Sequence, residues 1–259
     1  MTPDSEKRIT VVRPGWNWIT PEDWLAAFPE LLEKAGRTCY KSEDRITATS
    51  AEKFVRGVVK SGHESVIEHC SITVRIICDR SCSHQLVRHR IAAYSQESQR
   101  YCDYGKLGFQ VICPPSIGDL PVGTYESPRG EISWYIQDES RLCIEELLQG
   151  DPVATDRVLI WLRSCWSCYE EYNVLREAGI PPEDARSVLP NAAKTEVVTT
   201  YDLRQWRHVF KERALNKHAQ WQIRQILRDI LRAFIVQLPC VFGDLKEQLD
   251  EIQATNRNS

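Results

Sequence analysis

The sequence predicts an α+β (mixed α/β) chain, a helix-rich single domain over residues 1–259 built around a small, mainly antiparallel sheet. Three observations predict it. Apolar residues recur at three- and four-residue steps through most of the second half, the mark of helices that bury one stripe. Two short stretches instead alternate apolar with polar residues or concentrate β-branched ones, as half-buried strands require. The order of these elements lacks the regular strand–helix alternation of a doubly wound sheet. Neither GxGxxG nor the P-loop pattern occurs, so no Rossmann or P-loop nucleotide pocket is expected. No Gly/Ser/Pro-rich linker, internal repeat or low-complexity tract divides the chain.

Taken in order, residues 22–35 and 50–61 read as helices, the second with Ser50 as N-cap and Glu52 in its first turn. "SITVRIIC" (71–78) sets Ile72, Val74 and Ile76 against Thr73 and Arg75, a strand with one buried face. A short helix over 81–89 follows. "FQVICPP" (109–115) reads as a strand stopped by prolines, which cannot donate to a ladder. Long amphipathic helices are expected over 131–149 and 153–178, the second ended by Gly179 and Pro181-Pro182. "KTEVVTTYDL" (194–203) has strand composition, and "RQWRHVFKERAL" (204–215) and "HAQWQIRQILRDILRAFIVQL" (218–238) have helical periodicity.

With 33 basic against 36 acidic residues the net charge is −3, which argues against a general nucleic-acid or membrane-surface binder. Arginine outnumbers lysine by about two to one, which suits fixed bidentate recognition of phosphate or carboxylate. The opening "MTPDSEKRIT" has no basic-then-apolar pattern, and no apolar run approaches the roughly 20 residues of a membrane helix, so a cytoplasmic location is expected. The ten cysteines are scattered among ample apolar residues and are expected as free thiols. Cys165 and Cys168 form a lone CxxC inside a helix-like run, without a second pair at zinc-site spacing, so no metal is expected.

The chemistry concentrates in "RHRIAAYSQESQRY" (88–101). On a strand Arg88 and Arg90 would point the same way; on a helix they diverge by about 200°. A solvated charged face is the plain alternative. Ser95, Gln96, Ser98, Gln99 and Arg100 add hydroxyl, amide and guanidinium donors without a lysine, a mixture able to hold a phosphate and the edge of a base. Upstream, "HESVIEH" is not a zinc-protease helix: His63 and His69 are six apart, about 240° round, where HExxH needs four. Downstream, Arg186 in "DARSVLP" and Arg213 in "FKERALNKHAQW" are flanked by apolar positions, and a guanidinium lodged partly inside needs an anion, whether a ligand or an internal ion pair. Between them, Arg204 and His208 lie one helical turn apart and near Asp202, able to meet one ligand.

Together, "HESVIEH", RHR followed by seven residues and Ser98, the Arg100-Tyr101 pair, "DARSVLP" and "FKERALNKHAQW", in this order, resemble the flavin-dependent thymidylate synthases over roughly residues 50–240. The resemblance implies a homotetramer that binds FAD at subunit interfaces and uses dUMP, methylene-tetrahydrofolate and NADPH. It implies hydride delivery to C6 of the uracil with no enzyme cysteine attacking the base. Cys240, in an "LPC" context at the end of an apolar helix, is then a packing thiol.

Position by position, the resemblance places Ser65, Arg88, His89, Arg90, Gln96, Asp202, Leu203, Arg204 and His208 at the flavin. It places Gln85, Leu86, Val87, Arg88, Gln96, Glu97, Ser98, Gln99, Arg100, Arg186 and Arg213 at the nucleotide, and His63 where folate or nicotinamide docks. Arg213 is the expected activating residue, a fixed cation beside N3–O4 of uracil that polarises the ring. Ser98 has no positioned base beside it and is assigned to phosphate. Asp202 stands where asparagine is expected and Gln96 where glutamate is frequent. Two other readings accompany this one: a related C5-methylase or hydroxymethylase acting on UMP or dUMP, and a non-enzymatic nucleotide- or RNA-binding protein.

Overall fold

The computed structural model describes residues 7–127, 133–137 and 142–257. Its strands are β1 (Lys7–Val11), β2 (Gly15–Trp18), β3 (Ser71–Asp79), β4 (Ala93–Gln96), β5 (Gln110–Val111), β6 (Gly123–Ser127), β7 (Tyr135–Ile136) and β8 (Lys194–Asp202). The longer helices are α1 (Phe28–Thr38), α2 (Ala51–Lys60), α3 (Arg80–Leu86), α4 (Pro152–Glu177), α5 (Leu203–Val209), α6 (Trp221–Gln237) and α7 (Lys246–Arg257). The chain divides into two compact units, one of Met1–Pro14, Ile77–Ser83 and Gln96–Glu196, the other of Gly15–Ile76, His84–Ser95 and Val197–Ser259. The α+β expectation holds, with two four-stranded sheets in place of one.

The first unit carries the sheet β5-β1-β6-β7, in which β1 runs parallel to β5 and antiparallel to β6, and β6 antiparallel to β7. Alternate residues Ile9 and Val11 face inward, as the two-residue period dictates, and share a core with Tyr125 and Trp134. α4 closes this core with Val158, Leu162, Cys165 and Tyr172. It starts where Asp151 accepts from the amides of Val153 and Ala154 with Pro152 at the first turn, and it ends before Gly179, whose φ of 85° is a left-handed turn open to glycine.

The second unit carries most of the sheet β2-β3-β8-β4. Ile72, Val74 and Ile76 of β3 are buried as their alternation predicts. Over them lies a cluster of Trp206, Phe210, Phe234 and Phe242, with ring centroids 5.0 to 5.7 Å apart. The Trp206 indole N–H donates to the Ile72 carbonyl at 3.0 Å, so the largest ring of the cluster is buried with its polar atom satisfied. α6 presents Ile223, Ile226, Leu227, Ile230, Leu231 and Phe234 on one face, and Gln220 caps it by accepting from the amides of Gln222 and Ile223.

Several expectations are corrected. The helix expected over 22–35 is broken into Glu22–Leu25 and α1, because Pro29 needs the amide-free first turn of a new helix. Ser50 precedes α2 but does not cap it: its hydroxyl donates toward Glu33 and the Thr47 carbonyl and accepts from the Thr47 amide. α3 ends at Leu86, not 89, and the strand expected over 109–115 shrinks to Gln110–Val111. The helix expected over 131–149 is not formed: Tyr135–Ile136 pairs with β6, and only Ile144–Leu147 is helical. Residues 131–132 and 138–141 of that stretch lie outside the described residues. Residues 204–215 are helical in two geometries, α to Val209 and then a π-helix over Phe210–Leu215. No described helix is long and apolar enough to cross a membrane.

Candidate active site

In the second unit the RHR triplet forms neither strand nor helix but the turn after α3, where the amides of Arg88 and His89 donate to the carbonyls of Gln85 and Leu86. Arg88 and Arg90 are exposed, and His89 between them is only 7% exposed. The turn is held by Tyr94, whose hydroxyl lies 2.8 Å from the Leu86 carbonyl, 2.7 Å from the His89 carbonyl and 2.7 Å from the hydroxyl of buried Tyr201. Burial pushes both phenols above their usual range, so both stay protonated and able to donate. Leu86 is buried, while Gln85 and Val87 are half-buried.

The imidazole of His89 meets Arg213. Nε of Arg213 donates to Nε2 of His89 at 3.1 Å, and the ring of His208 stands edge-on to that of His89 with centroids 5.9 Å apart. Burial, then the charge of Arg213, then His208 hold the His89 pKa down at about 4, so the ring is neutral and Nε2 is an acceptor. Arg213 is half-buried in the π-helix, a geometry that recurs at functional sites because its extra residue re-aims side chains. Among the described residues no carboxylate pairs with it.

Beside this corner is a cleft of about 590 Å³ lined by Glu68, Ile91, Asp202, Arg204, His208 and Lys211. Asp202 is the N-cap of α5, its Oδ1 accepting from the Gln205 amide at 2.7 Å, and Leu203 next to it is buried. Arg204 pairs with Glu68 at 2.5 Å, both side chains about half exposed. Arg204, Lys211 and His208 suit a phosphate-bearing cofactor, and Asp202 and Glu68 suit hydroxyl or amine donors, so the donor set fits the FAD that the resemblance implies. A second cleft, about 640 Å³, brings His63 and Ser65 together with Phe54, Val58, Tyr40 and Lys53. Its walls mix the apolar Phe54, Val58 and Val66 with the polar Arg37, Lys53 and His63, a lining able to receive an organic molecule with polar groups.

In the first unit the other donors gather separately. Gln96 donates to the hydroxyls of Ser83 and Thr195 at 3.0 and 3.2 Å. Glu97 is engaged by Tyr104 and by Lys194, at 2.9 and 3.0 Å. Ser98 accepts from the Arg100 amide, and Gln99 is buried. Arg100 pairs with Glu183 at 2.6 Å, and Nε of Arg186 donates to the Glu183 carbonyl at 2.9 Å, so two guanidiniums from distant segments meet at one residue. Arg186 is exposed, which corrects the expectation that its apolar flanks would lodge it inside.

Sequence reasoning missed Tyr94, Tyr201, Glu183 and Arg207. Arg207 is 3% exposed and binds Glu64, Asp244 and the Val241 carbonyl. Only Tyr94, inside the polar motif, carried a local signal. Burial pushes the Cys240 thiol up to about 11 and the Cys165 thiol up to about 12, away from the thiolate form that a nucleophile needs.

The chain is similar to several known proteins. Residues 25–240 match the family described as thymidylate synthase complementing protein. A flavin-dependent thymidylate synthase of Geobacter sulfurreducens is 33% identical over 217 residues, 81% of this chain and 78% of its own. One from Mycolicibacterium vanbaalenii is 37% identical over 241 residues, 90% of this chain and 84% of its own. Among solved structures, a UMP/dUMP methylase, PolB, from Streptomyces cacaoi superposes with a TM-score of 0.64 at 20% identity, covering 93% of this chain and 97% of that one, which supports the fold. With the family match running through the His63, RHR, Arg186 and Arg213 segments, the chain belongs to the flavin-dependent thymidylate synthase family.

Proposed function

We propose that the chain methylates dUMP to dTMP, with methylene-tetrahydrofolate as carbon donor and NADPH as reductant, as one family domain that assembles into a cytoplasmic homotetramer. The observation that carries this is Arg213: a half-buried guanidinium whose only partner among the described residues is a neutral imidazole. A cation in that state is short of an anion, and a uracil ring developing negative charge at N3–O4 supplies one.

Arg204, Lys211, His208 and Asp202 hold FAD, with Ser65, Arg88, His89, Arg90, Gln96 and Leu203 completing its contacts. When bound and reduced, FAD supplies the hydride for C6 of the uracil. Arg100 and Arg186 take the phosphate of dUMP with Ser98 and Arg88. Their meeting at Glu183 supports this: the exposed ion pair of Arg100 is worth little, Arg186 has a backbone carbonyl there, and a dianionic phosphate competes well for both guanidiniums. Gln85, Leu86, Val87, Gln96, Glu97 and Gln99 complete the nucleotide contacts. Arg213 aligns on O4 and stabilises the ring as its electron density rises. The cleft lined by His63 receives folate or nicotinamide.

The test is tritium release from dUMP labelled at C5, with FAD, NADPH and methylene-tetrahydrofolate, together with the mass of the product. Wild-type protein releases tritium and forms a product heavier by one methylene. Arg213→Ala lowers kcat/KM by about a hundredfold or more. Equal release by the two proteins overturns the role of Arg213. Turnover of UMP in place of dUMP, or a hydroxymethyl product, overturns the substrate and reaction.

A further inference from the structure

Arg213 has five guanidinium N–H donors, and among the described residues one of them finds an acceptor. That one is Nε, and its acceptor is Nε2 of His89 at 3.1 Å. A histidine can accept there only when Nε2 carries no proton, so the ring is the neutral tautomer with its hydrogen on Nδ1. We propose that His89 is the positioning residue of Arg213: it takes Nε and so commits the paired Nη groups to the nucleotide.

The surroundings of His89 are built for this. Its backbone is tied on both sides of the ring, the amide to the Leu86 carbonyl at 3.2 Å and the carbonyl to Tyr94 at 2.7 Å. Tyr94 is in turn tied to Tyr201 of β8. The turn is therefore fixed to the sheet, and the imidazole inherits that fixity. Among the described residues, Arg213 and His208 face the imidazole from other elements, and both oppose a proton on it. Arg213 itself sits in a π-helix, a backbone with little intrinsic stability, where an external hydrogen bond has most to contribute to orientation. A carboxylate at position 89 would hold Nε more strongly, but it would neutralise the cation that the uracil is to meet. A neutral imidazole orients without neutralising.

The inference rests on the reading of Arg213 as the group that contacts the uracil nucleotide, and a double-mutant cycle separates the two. The proteins are wild type, His89→Leu, His89→Gln, Arg213→Ala and His89→Leu combined with Arg213→Ala, each loaded with FAD. The readout is the dissociation constant of radiolabelled dUMP by equilibrium dialysis, with flavin content from absorbance and melting temperature measured alongside. His89→Leu weakens dUMP about tenfold in the wild-type background, the scale of one charge-assisted hydrogen bond misplaced. It has no further effect when Arg213 is already alanine, because there is no guanidinium left to orient. His89→Gln, which keeps a neutral acceptor, recovers most of the affinity and shows that loss is not a failure to fold. Equal weakening by His89→Leu in both backgrounds overturns the proposal while leaving Arg213 in its role. Unchanged dUMP affinity in Arg213→Ala overturns the reading beneath it.

Discussion

Arg207 and Arg213 lie in one continuous helical run, the first in α5 and the second in the π-helix that follows, yet their surroundings are opposite. Arg207 is saturated. Nε meets Glu64 at 2.9 Å, Nη1 and Nη2 meet the two oxygens of Asp244 at 2.7 Å each, and Nη1 also reaches the Val241 carbonyl. Arg213 has one neutral acceptor and no carboxylate among the described residues. Both are guanidiniums drawn out of water, but the first has spent its donors on the protein and the second has kept them. The difference teaches that a buried cation is assigned by its unmet donors, not by its burial.

The comparison breaks most sharply on stability. Arg207→Met leaves Glu64 without its main partner and frees Asp244, which is half exposed and returns to water, so the loss falls at the low end of the range for a broken buried pair, about 3 kcal/mol. Arg213→Met removes no ion pair, only the hydrogen bond to His89, and changes stability by about 1 kcal/mol. Urea denaturation of the two variants measures both. Equal losses would mean that Arg213 is also a structural cation.

A smaller effect sharpens the same contrast through pH. The His89 pKa lies at about 4 in the folded chain against 6.5 for an ordinary histidine. Between those values the unfolded chain binds a proton that the folded chain refuses, so stability falls as pH drops from 6.5 towards 4. Above 6.5 the group is neutral in both states and contributes no slope; below about 4 it is protonated in both and the loss levels off. The total is at most about 3 to 4 kcal/mol. In His89→Gln this component vanishes. Denaturation curves of wild type and variant that stay parallel across that window would show that His89 is not held neutral, and the acceptor at Arg213 would go with it.

What could be read without coordinates follows the range of the forces involved. β3, β8, α4 and α6 could be read because alternation and helical stripes are local, and the residues that encode them lie side by side. The 131–149 region could not, since the pairing of Tyr135–Ile136 with β6 overrides a helical pattern, and strand pairing is a tertiary choice. The candidate site divides the same way. The RHR turn escaped a reading that offered only strand or helix, because its shape is set by Tyr94 against Tyr201, 107 residues along the chain. Arg207 escaped because its partners are 143 and 37 residues away. Arg186 was placed inside by its apolar neighbours and lies outside, because flanking residues can turn inward while a guanidinium between them turns out.

The smallest effect concerns Asp202, which has two claims on it. It lines the cleft with Arg204 and His208, and it caps α5 through the Gln205 amide at 2.7 Å. The two separate because asparagine caps a helix as well as aspartate does, whereas alanine does not. Asp202→Asn therefore leaves the melting temperature of FAD-free protein unchanged, and Asp202→Ala lowers stability by about 1 kcal/mol. If asparagine is as costly as alanine, the carboxylate charge rather than the cap is what the fold uses. With the cap preserved in Asp202→Asn, any change in FAD affinity, followed by flavin fluorescence, reports the charge alone. With Arg204 and Lys211 lining the same cleft, loss of this one carboxylate charge leaves that affinity within a few-fold.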